Sequence, residues 1–338
     1  MKIDTGLLLH NLNEMPAIAR AADEMGFDGL WTFETAHEAF LPLVLAAEHS
    51  ERLTLGTSIA VAFARSPTIL AHISWDLARF SKGRFILGLG SQVKGHNERR
   101  FGVAWQRPVQ KMRETILAVR ALWDCWQNGT RLDFHGQFFK LTLMTPFFNP
   151  GPHDYPHIPI YIAGVNRQMC QLAGELCEGF HAHPLNSHRY LKEVILPNIE
   201  TGLAKRGRRR EAIELSSAIF VIPTDNVGQA KQRENELRQQ ISFYASTPPY
   251  RPVFDLHGWG EAADQLRVLA SRGKWDKMPP LITEEMLDTF AVRASWGKLP
   301  AEVLQRYAGL LDRVSYYFPF LPGQDEDGWR LTIAGFKP

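Results

Sequence analysis

Apolar positions along the chain fall into two alternating rhythms: short apolar runs, and longer stretches with one apolar face. This alternation predicts strands followed by helices. Ile3 to Leu9 is a strand candidate, and Asn13 is placed to cap a helix from Glu14 to Met25 that stops at Gly26. Gly29 to Phe33 reads as the second strand, and Phe40 to Ser50, with Leu41, Val44, Leu45 and Ala47 at helical spacing, as its helix. Leu53 to Val61 is the third strand. Pro67 to Phe80 is the helix after it, with Pro67 in the first turn and Ile69, Leu70, Ile73, Leu77 and Phe80 on one face. Arg84 to Leu89 is the fourth strand. Strands this apolar are covered on both faces, which in a repeating strand–helix series means a parallel sheet with right-handed crossovers.

The rhythm breaks between about residues 92 and 157. A helix from Pro108 to Gln127 there precedes an aromatic, hairpin-like stretch, Leu132 to Leu141, and a Pro-rich loop, and the whole reads as an insertion after strand four. The series resumes with the strand Ile158 to Ala163, a helix from Asn166 to Cys177, the short strand Gly179 to His183 and a helix from Tyr190 to Lys205. Ile213 to Ile222 is strand seven and Val227 to Tyr244 a polar helix. Residues 246–280, rich in Pro and Trp, read as a second, irregular excursion. Met286 to Phe290, the helix Ala301 to Leu311 and the strand Val314 to Phe318 close the count at eight. Open doubly wound sheets rarely supply eight such strands, so the pattern favours an α/β (β/α)8 TIM barrel, one domain over residues 1–338, with insertions after strands 4 and 7.

Composition narrows the partners. With 45% hydrophobic and 22% charged residues the chain is that of a globular protein able to bury a large core. A formal charge of +2, from 38 basic and 36 acidic side chains, supplies no field to gather nucleic acid or a membrane, so a small-molecule partner is expected. No run approaches the ~20 apolar residues of a spanning helix, and no signal core precedes Ile3, so a cytoplasmic protein is expected. Cys125, Cys170 and Cys177 lack CxxC spacing and read as buried small hydrophobes, with neither a disulfide framework nor structural zinc.

In a barrel the chemistry stands just after the strands. That selects Glu34 and His37 after strand two, Ser58 and Ile59 at the end of strand three, and Gly90, Ser91, Gln92, His96 and Asn97 after strand four. Ala163, Gly164 and Asn166 follow strand five, and His181 and His183 belong to strand six. Gly88-Leu89-Gly90 fails as a dinucleotide fingerprint because its third glycine would fall on Val93; the glycines instead let the backbone turn and approach something flat or phosphorylated. His181 and His183 point the same way, but no carboxylate or third histidine has matching spacing; they read as hydrogen-bonding residues at the mouth or under a loop, and no metal site is expected. Glu34 and His37 on one loop can trade a proton near neutral pH, the plain alternative being a loop histidine held by a surface glutamate. The basic run Lys205 to Arg210 reads as a solvated connector, with a docking site for an acidic cofactor tail as its competitor.

Ser81-Lys82-Gly83-Arg84-Phe85-Ile86-Leu87-Gly88-Leu89-Gly90 resembles the fourth-strand signature of the luciferase-like flavin and deazaflavin oxidoreductases, reinforced by Leu55-Gly56-Thr57, Arg65-Ser66-Pro67 and Ala173-Gly174-Glu175-Leu176-Cys177-Glu178-Gly179-Phe180. The segments Phe33 to His37, Gly90 to His96 and Phe243 to Pro248 look like a subgroup that uses coenzyme F420. The resemblance implies a non-prolyl cis peptide at Ser58-Ile59 backing the cofactor ring, Ser91 and Gln92 along the ring or its side chain, and Ala163, Gly164 and Asn166 donating to the phosphate, a job that helix N-termini suit. The family often sets its acidic residue and histidine side by side after strand two; here two residues separate Glu34 from His37.

The resulting expectation is an F420-dependent oxidoreductase that passes a hydride between the deazaflavin and a small organic substrate, with His37 or Glu34 handling the companion proton. Its competitors are an FMNH2-dependent monooxygenase that activates oxygen and a non-catalytic flavin or deazaflavin carrier. A homodimer is expected from the resemblance alone.

Overall fold

A computed structural model describes residues 1–7 and 11–337. Its strands are β1 (Lys2–Leu7), β2 (Gly29–Thr32), β3 (Thr54–Thr57), β4 (Ala60–Val61), β5 (Phe85–Gly90), β6 (Phe134–His135), β7 (Lys140–Leu141), β8 (Ile160–Gly164), β9 (Gly179–Ala182), β10 (Glu214–Pro223), β11 (Ala291–Ala294) and β12 (Arg313–Tyr316). Leu8 and Leu9, at the end of the first strand candidate, lie outside the described residues. Parallel pairing runs β1–β2–β3–β5–β8–β9–β10–β12 and returns to β1, so eight strands close a barrel.

Helices surround it. Pro67–Phe80 forms a helix as predicted, with Ser66 Oγ accepting the Ile69 amide at 3.2 Å, but its buried face is Leu70, Ala71, Trp75, Leu77 and Ala78, and Ile69 and Phe80 of the expected face are exposed. Asn13 is not a helix cap: the turn Leu12–Glu14 starts one turn earlier, and Asn11 accepts the Asn13 amide at 3.0 Å ahead of the helix Met15–Met25. The third strand is not continuous, because the cis peptide Ser58-Ile59 separates β3 from β4.

The first excursion forms as its pattern predicts, and the second holds more structure than its composition suggests. The first carries the helix Pro108–Asn128 and the antiparallel pair β6–β7. The second is helical, with Arg251–Leu256 and Gly260–Ser271, and Met286 to Phe290 lies within the helix Glu284–Phe290. Thr283 caps that helix through the Met286 amide at 3.2 Å, and the strand follows it as β11, paired with residues 220–223 of β10. Proline and tryptophan interrupt a helical pattern without abolishing it, since Pro occupies first turns (Pro248, Pro252) and Trp259 packs against Phe254 and Phe290.

Inward-facing side chains are stacked in tiers. At the foot, Arg313 on β12 donates to both oxygens of Asp4 on β1 at 2.9 Å, and Trp31 Nε1 donates to Asp4 at 2.8 Å. Glu214 on β10 accepts from the Tyr161 hydroxyl. One tier up, the His181 ring meets Trp31 edge-on at 4.9 Å and its Nδ1 pairs with Ser216 Oγ at 2.6 Å. Gly88 on β5 faces this tier, where a Cβ would stand 1.6 Å from the Thr57 carbonyl oxygen. Two of the sequence-derived candidates thus part company: His181 is buried in the barrel, and only His183 reaches the mouth.

Candidate active site

The ends of β2 and the third strand are tied together by Glu34. Its backbone N–H donates to the Ile59 carbonyl at 3.3 Å, and its carboxylate accepts from the Val61 amide and the Arg65 guanidinium, both at 2.7 Å. Arg65 also donates to Glu38 at 2.8 Å and lies 5.3 Å from the Phe40 ring centroid. Glu34 is therefore buried and partnered across the cis Ser58-Ile59 peptide. His37 stands exposed on the same loop, and the structure does not bring it into hydrogen-bond contact with Glu34, whose bonds run to Val61, Arg65 and Ile59.

β3, β5 and β8 are neighbours, so the other sequence-derived residues converge. Ser58 and Ile59 are half-buried, and Ile59 covers Gly90, where a Cβ would meet its Cδ1 at 2.5 Å. Ser91 and Gln92 follow, with Gln92 in the left-handed region at φ 56° and its side-chain oxygen accepting the Val93 amide at 3.0 Å. Asn97, fully buried, donates to the Ser91 and Val93 carbonyls at 2.8 and 3.1 Å and holds this loop in place; His96 is exposed. Ala163 and Gly164 close the row at the end of β8. Asn166 occupies the N-cap of the helix Arg167–Leu176, yet its side chain donates to the Pro249 carbonyl at 3.3 Å and caps no amide; its backbone carbonyl takes the Met169 amide at 3.1 Å, which leaves those of Arg167 and Gln168 free. Free amides at the positive end of a helix favour an anion.

On the opposite side of the mouth the sequence pointed to His183 but not to the side chains that gather around it. The helix Val227–Ala245 reaches from Phe318, where Arg233 lies 4.3 Å from the ring, to His183, where Tyr244 lies 4.5 Å away edge-on, so it crosses the strand ends. Tyr250 stacks on His183 at 4.2 Å, and the Tyr244 and Tyr317 hydroxyls are hydrogen-bonded to each other. Burial lowers the His183 ring to about 3 and raises the hydroxyls of Tyr244 and Tyr250 well above the usual phenol range, so all three are neutral near pH 7. The available signal was period two: His183 and Tyr317 continue the inward parity of His181 and Ser315.

The remaining candidates are structural. Arg208 donates to the carbonyls of Gly174, Cys177 and Ala212, and Arg210 to Ile213 and Asp312. The basic run thus pins the chain at the foot of β10, the end away from the mouth. Burial raises the Cys170 and Cys177 thiols to about 12, which makes them inert. Among the described residues no group of three or more His, Cys, Asp or Glu side chains is placed to hold a metal ion, and no helix is long and apolar enough to cross a membrane.

Comparison with known proteins agrees with this architecture. The family model for luciferase-like monooxygenase matches residues 2–314. An uncharacterised protein of Mycobacterium tuberculosis is 44% identical over 93% of this chain and 92% of its own length. The 5,10-methylenetetrahydromethanopterin reductase of Archaeoglobus fulgidus is 28% identical over 87% of this chain and 84% of its own. Among solved structures, the coenzyme F420-dependent tetrahydromethanopterin reductase of Methanopyrus kandleri superposes with a TM-score of 0.79 at 19% identity, covering 99% of this chain and 97% of that one, and so shares the fold. The chain belongs to the luciferase-like monooxygenase family.

Proposed function

We propose that the protein is an oxidoreductase that passes a hydride between coenzyme F420 and a small organic substrate at the barrel mouth. The observation that carries this reading is the row of short side chains on adjacent strands, Ser58, Gly90, Ser91, Ala163 and Gly164, which leads to the uncapped helix start at Asn166. A flat ring needs such a bed, and its phosphate needs such an anchor. A relative supports the cofactor: an F420-dependent glucose-6-phosphate dehydrogenase of Nakamurella multipartita is 27% identical over 60% of this chain and 61% of its own length.

Within this reading Ser58, Ile59, Gly90, Ser91 and Gln92 hold the ring and its side chain, and Ala163, Gly164 and Asn166 hold the phosphate. The bound deazaflavin supplies or accepts the hydride. Glu34, already engaged by Val61 and Arg65, positions the strand-three end. His37, exposed on the same loop, exchanges the companion proton with solvent.

Titration with F420 and with FMN, followed by thermal unfolding, tests the proposal. F420 at about 100 times its dissociation constant stabilises the fold by about 2.7 kcal/mol. Selective stabilisation by FMN, with oxygen consumed by the reduced complex, establishes the monooxygenase reading in its place.

A further inference from the structure

We infer that His183 is the hydrogen-bond donor that holds the substrate's carbonyl oxygen during hydride transfer, with the hydrogen on Nε2. This rests on the oxidoreductase reading above and assigns the substrate to the carbonyl compounds.

The tautomer follows from the backbone. His183 Nδ1 accepts the Leu185 amide at 3.1 Å, so in the neutral ring the hydrogen is on Nε2. Among the described residues no acceptor engages that Nε2. The ring is held from two sides, with Tyr250 stacked on one face at 4.2 Å and Tyr244 edge-on at 4.5 Å, and Asn186 Nδ2 fixes the backbone that carries it by donating to the His183 carbonyl at 2.6 Å. The two tyrosine hydroxyls nearest the strand ends, on Tyr244 and Tyr317, are occupied with each other. Deeper in the barrel the His181 Nε2 is also without a partner, but it is walled in beside Gly88 by Trp31 and Tyr161 and offers a ligand no room. His183, half-buried and just past β9, is the mounted donor that a substrate at the mouth meets.

A fixed donor of this kind stabilises charge where it develops and needs no reorganisation to do so. With the reduced cofactor bound, its hydride would form a C–H bond at the carbonyl carbon, or at the β carbon of an enone, and the displaced π pair would move onto the carbonyl oxygen. The substrate would gain the two electrons that the cofactor loses. A proton from solvent then converts the oxyanion to a hydroxyl, and His183 keeps its N–H throughout. The surrounding rings, which make a protonated imidazole costly, keep it in the donor role rather than in that of an acid.

Full-length protein labelled with 15N-histidine provides the test, with the His183 signals identified by their absence in His183→Gln. The expected spectrum shows a neutral Nε2–H ring throughout the range from acidic to neutral pH, with the Nε2 proton moving downfield on addition of cyclohexenone and not of cyclohexene. A ring that is protonated near neutral pH, or an Nε2 proton indifferent to cyclohexenone, overturns the inference. In the second arm, His183→Phe retains F420 affinity by fluorescence and lowers the rate of enone reduction about 100-fold, while His183→Gln, which keeps an N–H, recovers part of it. Enone reduction unchanged in a folded His183→Phe overturns the inference and leaves the cofactor reading intact. Failure of the wild type to bind F420 removes the cofactor reading, and the spectrum then decides the role of His183 by itself.

Discussion

The Arg65 guanidinium lies 2.7 Å from the Glu34 carboxylate, and the pair joins the loop after β2 to the residues after β4. Both side chains are largely buried, at 14% and 7% exposure, so each neutralises a charge that water does not reach.

Removing one partner of such a pair leaves the other uncompensated. Arg65→Ala is expected to destabilise the fold by about 3 kcal/mol in urea unfolding. Glu34→Gln, which keeps an acceptor for the Val61 amide, costs about 1 kcal/mol. Equal costs for the two variants contradict the assignment of Glu34 as a partnered anchor.

Gly88 and Gly90 occupy the same face of β5 but tolerate a methyl group differently. At Gly88 the new Cβ meets the Thr57 carbonyl oxygen at 1.6 Å, which is backbone and cannot give way without parting β3 from β5. At Gly90 the contacts are the Ile59 side chain, at 2.5 Å. Gly88→Ala is therefore expected to cost about 3 kcal/mol or more and Gly90→Ala about 1 kcal/mol, by denaturant unfolding. A Gly88→Ala protein as stable as the wild type refutes the close strand approach.

The alternation of apolar runs and amphipathic stretches made the barrel legible, because strands covered on both faces and helices with one buried face leave different periods. Its failures lie where local and tertiary preferences compete. The segment Met286 to Phe290 is short and apolar enough for a strand, and the Thr283 cap makes it a helix. Of the site, the row from Ser58 to Asn166 was legible because it sits directly after strands. Glu34 was legible as a position but not in its role, since Arg65 reaches it from 31 residues away. The partners of His183 were not, because Tyr244 ends a polar helix and Tyr250 lies in the excursion after it, and neither carries a periodic mark that sets it over the mouth.

Burial lowers His181 to about 3, far below the ~6.5 of an unfolded chain. Between these values the unfolded chain binds a proton that the folded one does not, so this contribution to stability is whole above about pH 6.5 and declines as the pH falls toward 3. The expected slope is about 1.4 kcal/mol per pH unit within that window. Unfolding free energies from pH 6 to pH 4 should be less steep by about that amount in His181→Gln. An unchanged slope in a folded variant places the ring in contact with solvent, contrary to its burial.

The foot of the barrel offers the complementary experiment. Arg313 and Asp4 are each 1% exposed and joined by two bonds of 2.9 Å, with Glu214 at 3.4 Å as the second acid. Asp4→Asn removes one of the two charges that face Arg313 and keeps the shape, and its expected cost is about 3 kcal/mol. Arg313→Met leaves Asp4 with only the Trp31 N–H and costs at least as much. Because the two residues share one interaction, the double variant should lose less than the sum of the singles by more than about 1 kcal/mol. Cofactor affinity should be unchanged in any of these variants that remains folded, since the pair lies at the opposite end of the strands from Ser58, Ser91 and Asn166. A variant that kept its stability and lost F420 binding would reverse the assignment of the two ends, making the foot the functional face and the mouth the structural one.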